Sequence, residues 1–269
     1  MEPKRRTWHI SGVKRFLDWA VTILYAPVFA GILIFYDIVL RVAALFGIKS
    51  LERAAVSLQC SLVRSYSLLG ATLEMTIAPE VRPEKSYIFV SNHQSMFDIP
   101  LFARAFPKNN GKYITKKQLG QWIPAVSTNL KLGHHPLIDR DDRDSAVSVI
   151  QNLGERVSRG EVSAVIFPEG SRSRDGNLKP FKPAGLKTLL QAAPDAEVVP
   201  CCLDNSWRLM ENNFLPIPCG LRLHFSCIPP IKREAGESTD ELIHRIEQII
   251  SRELQKLRGR GTQASSANG

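Results

Sequence analysis

Between residues 80 and 258 the chain alternates between short apolar runs rich in β-branched and aromatic residues and longer stretches with helical spacing. Residues 87–90 read as a buried strand and 97–106 as the helix after it; 113–115 is followed by a helical segment around 122–130. Residues 137–140 lead to a helix that Asp142 can cap, with Val147, Ile150, Leu153 and Val157 on one side. The runs 162–167, 198–203 and 221–228 continue the pattern, with a helix at 183–193 that starts on proline. Ser238 opens a closing helix whose apolar face carries Leu242, Ile246, Ile249, Ile250, Leu254 and Leu257. This alternation predicts an α/β domain, a largely parallel mixed sheet flanked by helices. In such sheets sites form beyond the carboxyl ends of the strands. The tail, 259–269, is rich in Gly, Ser and Ala and reads as disordered.

Ahead of this domain, no charged residue occurs from Trp19 to Tyr36, and apolar character resumes after Asp37 and Arg41 through Ile48. The run is apolar all round, which predicts a hydrophobic helical membrane anchor within residues 1–50. Pro27 and Gly31 would allow it to break into two helices that dip into one leaflet and return. Lys4, Arg5, Arg6, Lys14 and Arg15 precede it and would hold the N-terminus in the cytoplasm. Residues 51–79 read as a connecting amphipathic helix, with Leu51, Ala55, Leu58 and Leu62 on its apolar face. The formal net charge of +9 suits an anionic partner, whether lipid, phosphorylated substrate or nucleic acid. Aromatics make up only 8% and are not interleaved with the basic clusters, which argues against nucleic acid. Five cysteines without a Cys-x-x-Cys pair indicate neither a disulfide framework nor a zinc ribbon.

Three polar clusters each follow an apolar run. Asn92-His93 leads to Asp98; Lys116-Lys117 follows 113–115; Glu169-Gly170-Ser171-Arg172 follows 162–167. A carboxylate that accepts from one imidazole N–H leaves the other nitrogen as a base for a hydroxyl, while cations and backbone amides near Gly170 would serve a phosphate and an oxyanion. These are the parts of an acyl transfer to a phosphorylated alcohol. A hydrolase using Ser95 or Ser171 as nucleophile is the rival enzyme, although Gly-x-Ser-x-Gly is absent. His134-His135 reads as loop histidines, or as a metal site lacking an evident third ligand.

Here the sequence resembles the PlsC-like glycerolipid acyltransferases, most of all the 1-acyl-glycerol-3-phosphate acyltransferases. Asn92-His93-(four residues)-Asp98 matches their first motif block. Lys117 through Pro124 to Gly133, with Ile138-Asp139-Arg140, resembles the second; Phe167-Pro168-Glu169-Gly170-Ser171-Arg172-Ser173 matches the third, with Ser171 where Thr is frequent; Val199-Pro200 matches the fourth. The resemblance implies that His93 is the catalytic base and Asp98 its orienting partner. It further implies that Asn92, Glu169, Gly170, Ser171 and Arg172 line the acceptor site, with Glu169 on glycerol hydroxyls and Arg172 on phosphate, and that Lys117 and Arg140 contact phosphate or oxyanion. The implied reaction moves a fatty acyl group from acyl-CoA or acyl carrier protein to the sn-2 hydroxyl of 1-acyl-glycerol-3-phosphate, giving phosphatidate; another lyso-lipid, such as lyso-ornithine lipid, would be an alternative acceptor. No metal or further cofactor is called for. The expected location is the inner, cytoplasmic membrane with the active site facing the cytoplasm.

Overall fold

The computed structural model describes residues 12–139 and 142–266, with side chains to Gly259. Lys4, Arg5, Arg6 and Arg140 therefore lie outside the described residues. In chain order the elements are α1 (Gly12–Leu45), α2 (Ile48–Ser65), β1 (Thr72–Ile77), β2 (Ile88–Ser91), α3 (Asp98–Ala105), β3 (Gly111–Tyr113), β4 (Thr115–Lys116), α4 (Val126–Leu132) and β5 (Leu137–Ile138). They continue with α5 (Arg143–Ser158), β6 (Ser163–Ile166), α6 (Pro183–Ala192), β7 (Val198–Asp204), β8 (Arg222–Cys227) and α7 (Thr239–Ser266). Six strands form one sheet in the order β1-β8-β7-β2-β6-β3, parallel except where β7 meets β8, and β4 and β5 form a small parallel pair.

Helices cover both faces of this sheet, so its central strands are apolar on both sides rather than alternating. In β2, Ile88 and Val90 pack toward α5, α6 and α7 with Ile150, Leu189 and Ile246. Phe89, between them, joins the opposite core with Leu101, Phe102 and Phe225. β7 divides the same way, Cys202 to the first core and Val199, Cys201 and Leu203 to the second. The cysteines thus pack as small apolar residues.

Three expectations change. Residues 72–77, read as the end of a connecting helix, are the edge strand β1; α2 stops at Ser65, and the pairing that makes β1 is with β8, far along the chain. α1 runs unbroken through Pro27 and Gly31, because its turns are supported by packing on α2 and the domain. α7 continues to Ser266, so residues 259–266 are helical: single glycines cost a helix about 1 kcal/mol each and no proline follows to stop it. Residues 267–269 lie outside the described residues.

α1 is the one helix among the described residues long and apolar enough to cross a membrane. Its inward stripe is nevertheless tied to the domain at both ends. Asp18, which also pairs with Lys14, accepts the amide of Cys219 at 2.9 Å, and Thr22 Oγ accepts that of Ile217 at 2.9 Å. Asp37 accepts the amide of Ala125 at 2.8 Å, and Arg41 holds both Asp37 and Thr128. Between these ties, Tyr25 and Leu40 are buried. The outward face exposes Phe16, Trp19, Ile23, Ile34, Phe35 and Ile38.

Candidate active site

Register places the motif blocks side by side. β2 and β6 are parallel, with Val90 opposite Ile166, so His93 and Glu169 emerge three residues beyond one pair. β7, on the other flank of β2, brings Leu203 and the turn after Asp204 to the same carboxyl edge.

At this edge His93 Nδ1 lies 2.9 Å from Asp98 Oδ2. Asp98 has no exposed surface, and its carboxylate is surrounded by donors. Oδ2 also accepts the amides of Gln94 and Ser95, at 2.7 and 2.8 Å; Oδ1 accepts the hydroxyls of Ser95 and Ser206, at 3.1 and 2.6 Å. Such a cage fixes the carboxylate as an acceptor, so Nδ1 carries the proton and Nε2 is left as the basic nitrogen. The imidazole stacks on Phe167, ring centroids 4.2 Å apart, which sets its tilt. Its side chain keeps 18% exposure, enough for a substrate hydroxyl to reach it.

Glu169 holds this turn together from below. Its Oε1 accepts the His93 amide at 2.7 Å and its Oε2 the Lys179 amide at 3.0 Å. Both oxygens are engaged with backbone, so the side chain joins the first and third motif loops rather than reaching toward an acceptor. Burial pushes its pKa up to about 7, against the opposing pull of the two amides and of Lys179. Asn92 is likewise buried: its amide exchanges two hydrogen bonds with the backbone of Leu203, at 2.8 and 2.7 Å, tying β2's end to β7. Gly170 adopts φ +70°, open to glycine at little cost, and its N–H closes a turn on Phe167 O at 3.1 Å rather than pointing outward as an oxyanion donor. Ser171 and Arg172 are exposed at the rim. The Arg172 guanidinium donates to Met210 Sδ at 3.4 Å.

The second block is less central. Lys117 is exposed at the start of the short turn after β4, the strand that pairs with β5 in the small sheet. His135 Nδ1 accepts the Tyr113 amide at 3.0 Å and its ring stacks on Tyr113, so it is a packing residue, held neutral by desolvation and by Lys112, with a pKa lowered to about 3. No cluster of metal-ligating side chains occurs among the described residues. Of the two serines open to the hydrolase alternative, Ser95 is fully buried and donates to Asp98.

Two residues escaped the sequence reading. Lys179 sends its ammonium to Arg172 O, at 2.6 Å, and Ser171 Oγ, at 3.3 Å, adding a cation to the rim. Ser206, in a short turn after β7, bridges Asp98 and Gln94. Ser206→Ala is expected to lower kcat by about tenfold, the value of one hydrogen bond to a charged group, with both KM values unchanged. Ser206→Thr, which keeps the hydroxyl, should recover most of the loss; steady-state kinetics on the three proteins checks this.

Fold and site together place a caged His-Asp pair at the carboxyl edge of a largely parallel sheet. The Acyltransferase family model matches residues 73–204, which span this edge. More particularly, its relatives are lysophosphatidate acyltransferases by name. A 1-acyl-sn-glycerol-3-phosphate acyltransferase of Cocos nucifera is 32% identical over 165 residues, 60% of this chain and 51% of that protein. The alpha form from Homo sapiens is 27% identical over 176 residues, 65% of this chain and 60% of that one. The chain thus spans between half and two thirds of the length of these relatives. Among solved structures, the 1-acyl-sn-glycerophosphate (LPA) acyltransferase PlsC from Thermotoga maritima superposes with a TM-score of 0.72 at 21% identity, covering 91% of this chain and 97% of that one. At this coverage the likeness of fold extends into the N-terminal helices.

Proposed function

We propose that the protein transfers a fatty acyl group from a thioester of coenzyme A or acyl carrier protein to the sn-2 hydroxyl of 1-acyl-glycerol-3-phosphate, forming phosphatidate. The observation that carries this reading is the His93-Asp98 pair, one imidazole nitrogen held by a buried carboxylate and the ring left partly exposed. His93 Nε2 takes the acceptor's hydroxyl proton as the oxygen attacks the thioester carbonyl. The tetrahedral intermediate then expels the thiolate, which takes the proton back from His93. No acyl-enzyme is needed.

The anchor supports a lipid acceptor. Phe97, immediately before Asp98, lies against Phe29 of α1 with ring centroids 6.3 Å apart, so the apolar helix touches the catalytic turn. α1 is bonded to the domain at Asp18 and again at Asp37, about 28 Å further along a straight helix. A helix held to one domain over that length lies beside it, and we read α1 as embedded in a single leaflet of the cytoplasmic membrane, active site toward the cytoplasm. Lifting a long acyl chain into water costs about 0.8 kcal/mol per CH₂, so an in-plane anchor spares the acceptor that step.

The test is an assay of purified protein against a panel of lyso-acceptors with acyl-CoA and with acyl carrier protein; failure with lysophosphatidate and turnover of another acceptor would replace the reading. Within that panel Arg172→Ala should raise the KM for lysophosphatidate by about tenfold or more and leave that for the thioester nearly unchanged, the loss of a charge-assisted contact to phosphate. An equal effect on an acceptor without a phosphate monoester would assign Arg172 a different role.

A further inference from the structure

Two loops of the α/β domain share an arrangement that the acyl-transfer chemistry does not use. Residues 119–125 and 213–217 each end at an amide bonded to a polar side chain of α1: Ala125 to Asp37, and Ile217 to Thr22. Three residues before each tie an aromatic side chain stands in the left-handed region, Trp122 at φ 69° and Phe214 at φ 84°. Bulky residues rarely accept that backbone, and its cost is offset only where the surroundings hold it. Neither side chain is using the strain to pack. Trp122 is 94% exposed, the highest of any large apolar residue described, and Phe214 and Leu215 are 48% and 53% exposed. Leu119, beside the exposed Lys116 and Lys117, adds to the first loop.

The two ties are fifteen residues apart on α1, about 22 Å, and the helix between them carries the apolar outward face. We propose that loops 119–122 and 213–215 insert their apolar side chains into the headgroup region of the same leaflet that takes α1, so that the domain itself grips the lipid surface at both ends of the anchor. This rests on the reading of α1 as an in-plane anchor. A lipid surface is the occupant because both loops end on α1, whose outward face is apolar and exposed, because tryptophan favours the membrane–water interface, and because the exposed Lys116 and Lys117 adjoin the first loop and suit anionic headgroups.

Full-length protein is reconstituted into vesicles of phosphatidylcholine and phosphatidylglycerol, with and without brominated acyl chains. Wild type, Trp122→Phe, Trp19→Phe and the double variant Trp122→Phe, Phe214→Trp are compared by fluorescence. The emission lost in Trp122→Phe reports the first loop and that gained at Phe214→Trp the second; both should be quenched by brominated chains and shielded from aqueous iodide. The Trp19 component, from α1's outward face, separates the two ideas. If Trp19 is not quenched by bromine, the anchor reading fails. If Trp19 is quenched while the loop signals stay open to iodide, the loop proposal is overturned and the anchor stands. Shielding that grows with protein-to-lipid ratio without bromine quenching would mean contact between copies, and overturns it too. Trp122→Asp should lower the vesicle partition coefficient by about tenfold or more, since an aromatic ring buries about 150–250 Å². Turnover of a water-soluble short-chain lysophosphatidate should stay at the wild-type rate; an unchanged partition coefficient would overturn the proposal.

Discussion

His93→Ala is expected to reduce turnover by about 100- to 10,000-fold, the usual worth of a positioned base, while thermal unfolding remains that of wild type. The ring is partly exposed and its loss leaves Asp98 still surrounded by the amides of Gln94 and Ser95 and by two serine hydroxyls. Asp98→Asn tests the partner more sharply. Its amide nitrogen can occupy the Oδ1 position, where the hydroxyls of Ser95 and Ser206 rotate to accept, and its oxygen can keep the three donors at Oδ2. Geometry survives and charge does not. Turnover should fall by about 100-fold or more, because the imidazolium that forms as His93 takes its proton is no longer stabilised. Single-turnover rates with saturating lysophosphatidate and thioester measure this directly. An Asp98→Asn protein working at the wild-type rate would leave the buried carboxylate without a catalytic part.

The parts of this site that could be read from sequence are those whose signal is local. The dyad is separated by five positions and its helix begins at Asp98, so strand, turn and helix could be placed from spacing alone. The strand–helix alternation gave the sheet for the same reason, since each βαβ unit is contiguous. β1 is different: it exists because residues 72–77 find β8 some 150 positions later, and its own pattern, Thr-Leu-Glu-Met-Thr-Ile at a partly exposed edge, carries little apolar signal. Glu169 shows the same limit in the site. Its motif says that a carboxylate is present but not that it turns inward to two amides, one of them 76 residues away. Ser206 has no motif at all, and only the fold reveals that it reaches Asp98 across 108 positions. The polar residues of α1 were legible as positions and not as contacts. Asp18 and Asp37 flank the uncharged run from Trp19 to Tyr36, and the structure uses both as docking points for backbone amides.

Removing the Glu169 carboxylate is expected to be nearly as damaging as removing the base. Glu169→Ala leaves the His93 and Lys179 amides without partners in a buried place, each costing about 1–3 kcal/mol, so the turn bearing His93 should loosen, the melting temperature drop and turnover fall by about 100-fold. Glu169→Gln separates charge from shape. In the wild type, burial raises the group from the model-peptide value of 4.5 to about 7, so between those values the folded protein holds a proton that the unfolded chain has released. Stability from this group is therefore fully present below about pH 4.5 and lost as the pH rises through 7, amounting to at most about 3 kcal/mol. Glutamine cannot titrate, and one of its amide hydrogens must face a backbone N–H, so the variant should be less stable throughout, by the most at pH 5 and by the least at pH 8. Denaturant unfolding at several pH values in that interval gives the difference. If the two proteins kept a constant gap, the carboxylate would be ionised across the whole range, and the two amide bonds rather than burial would control it.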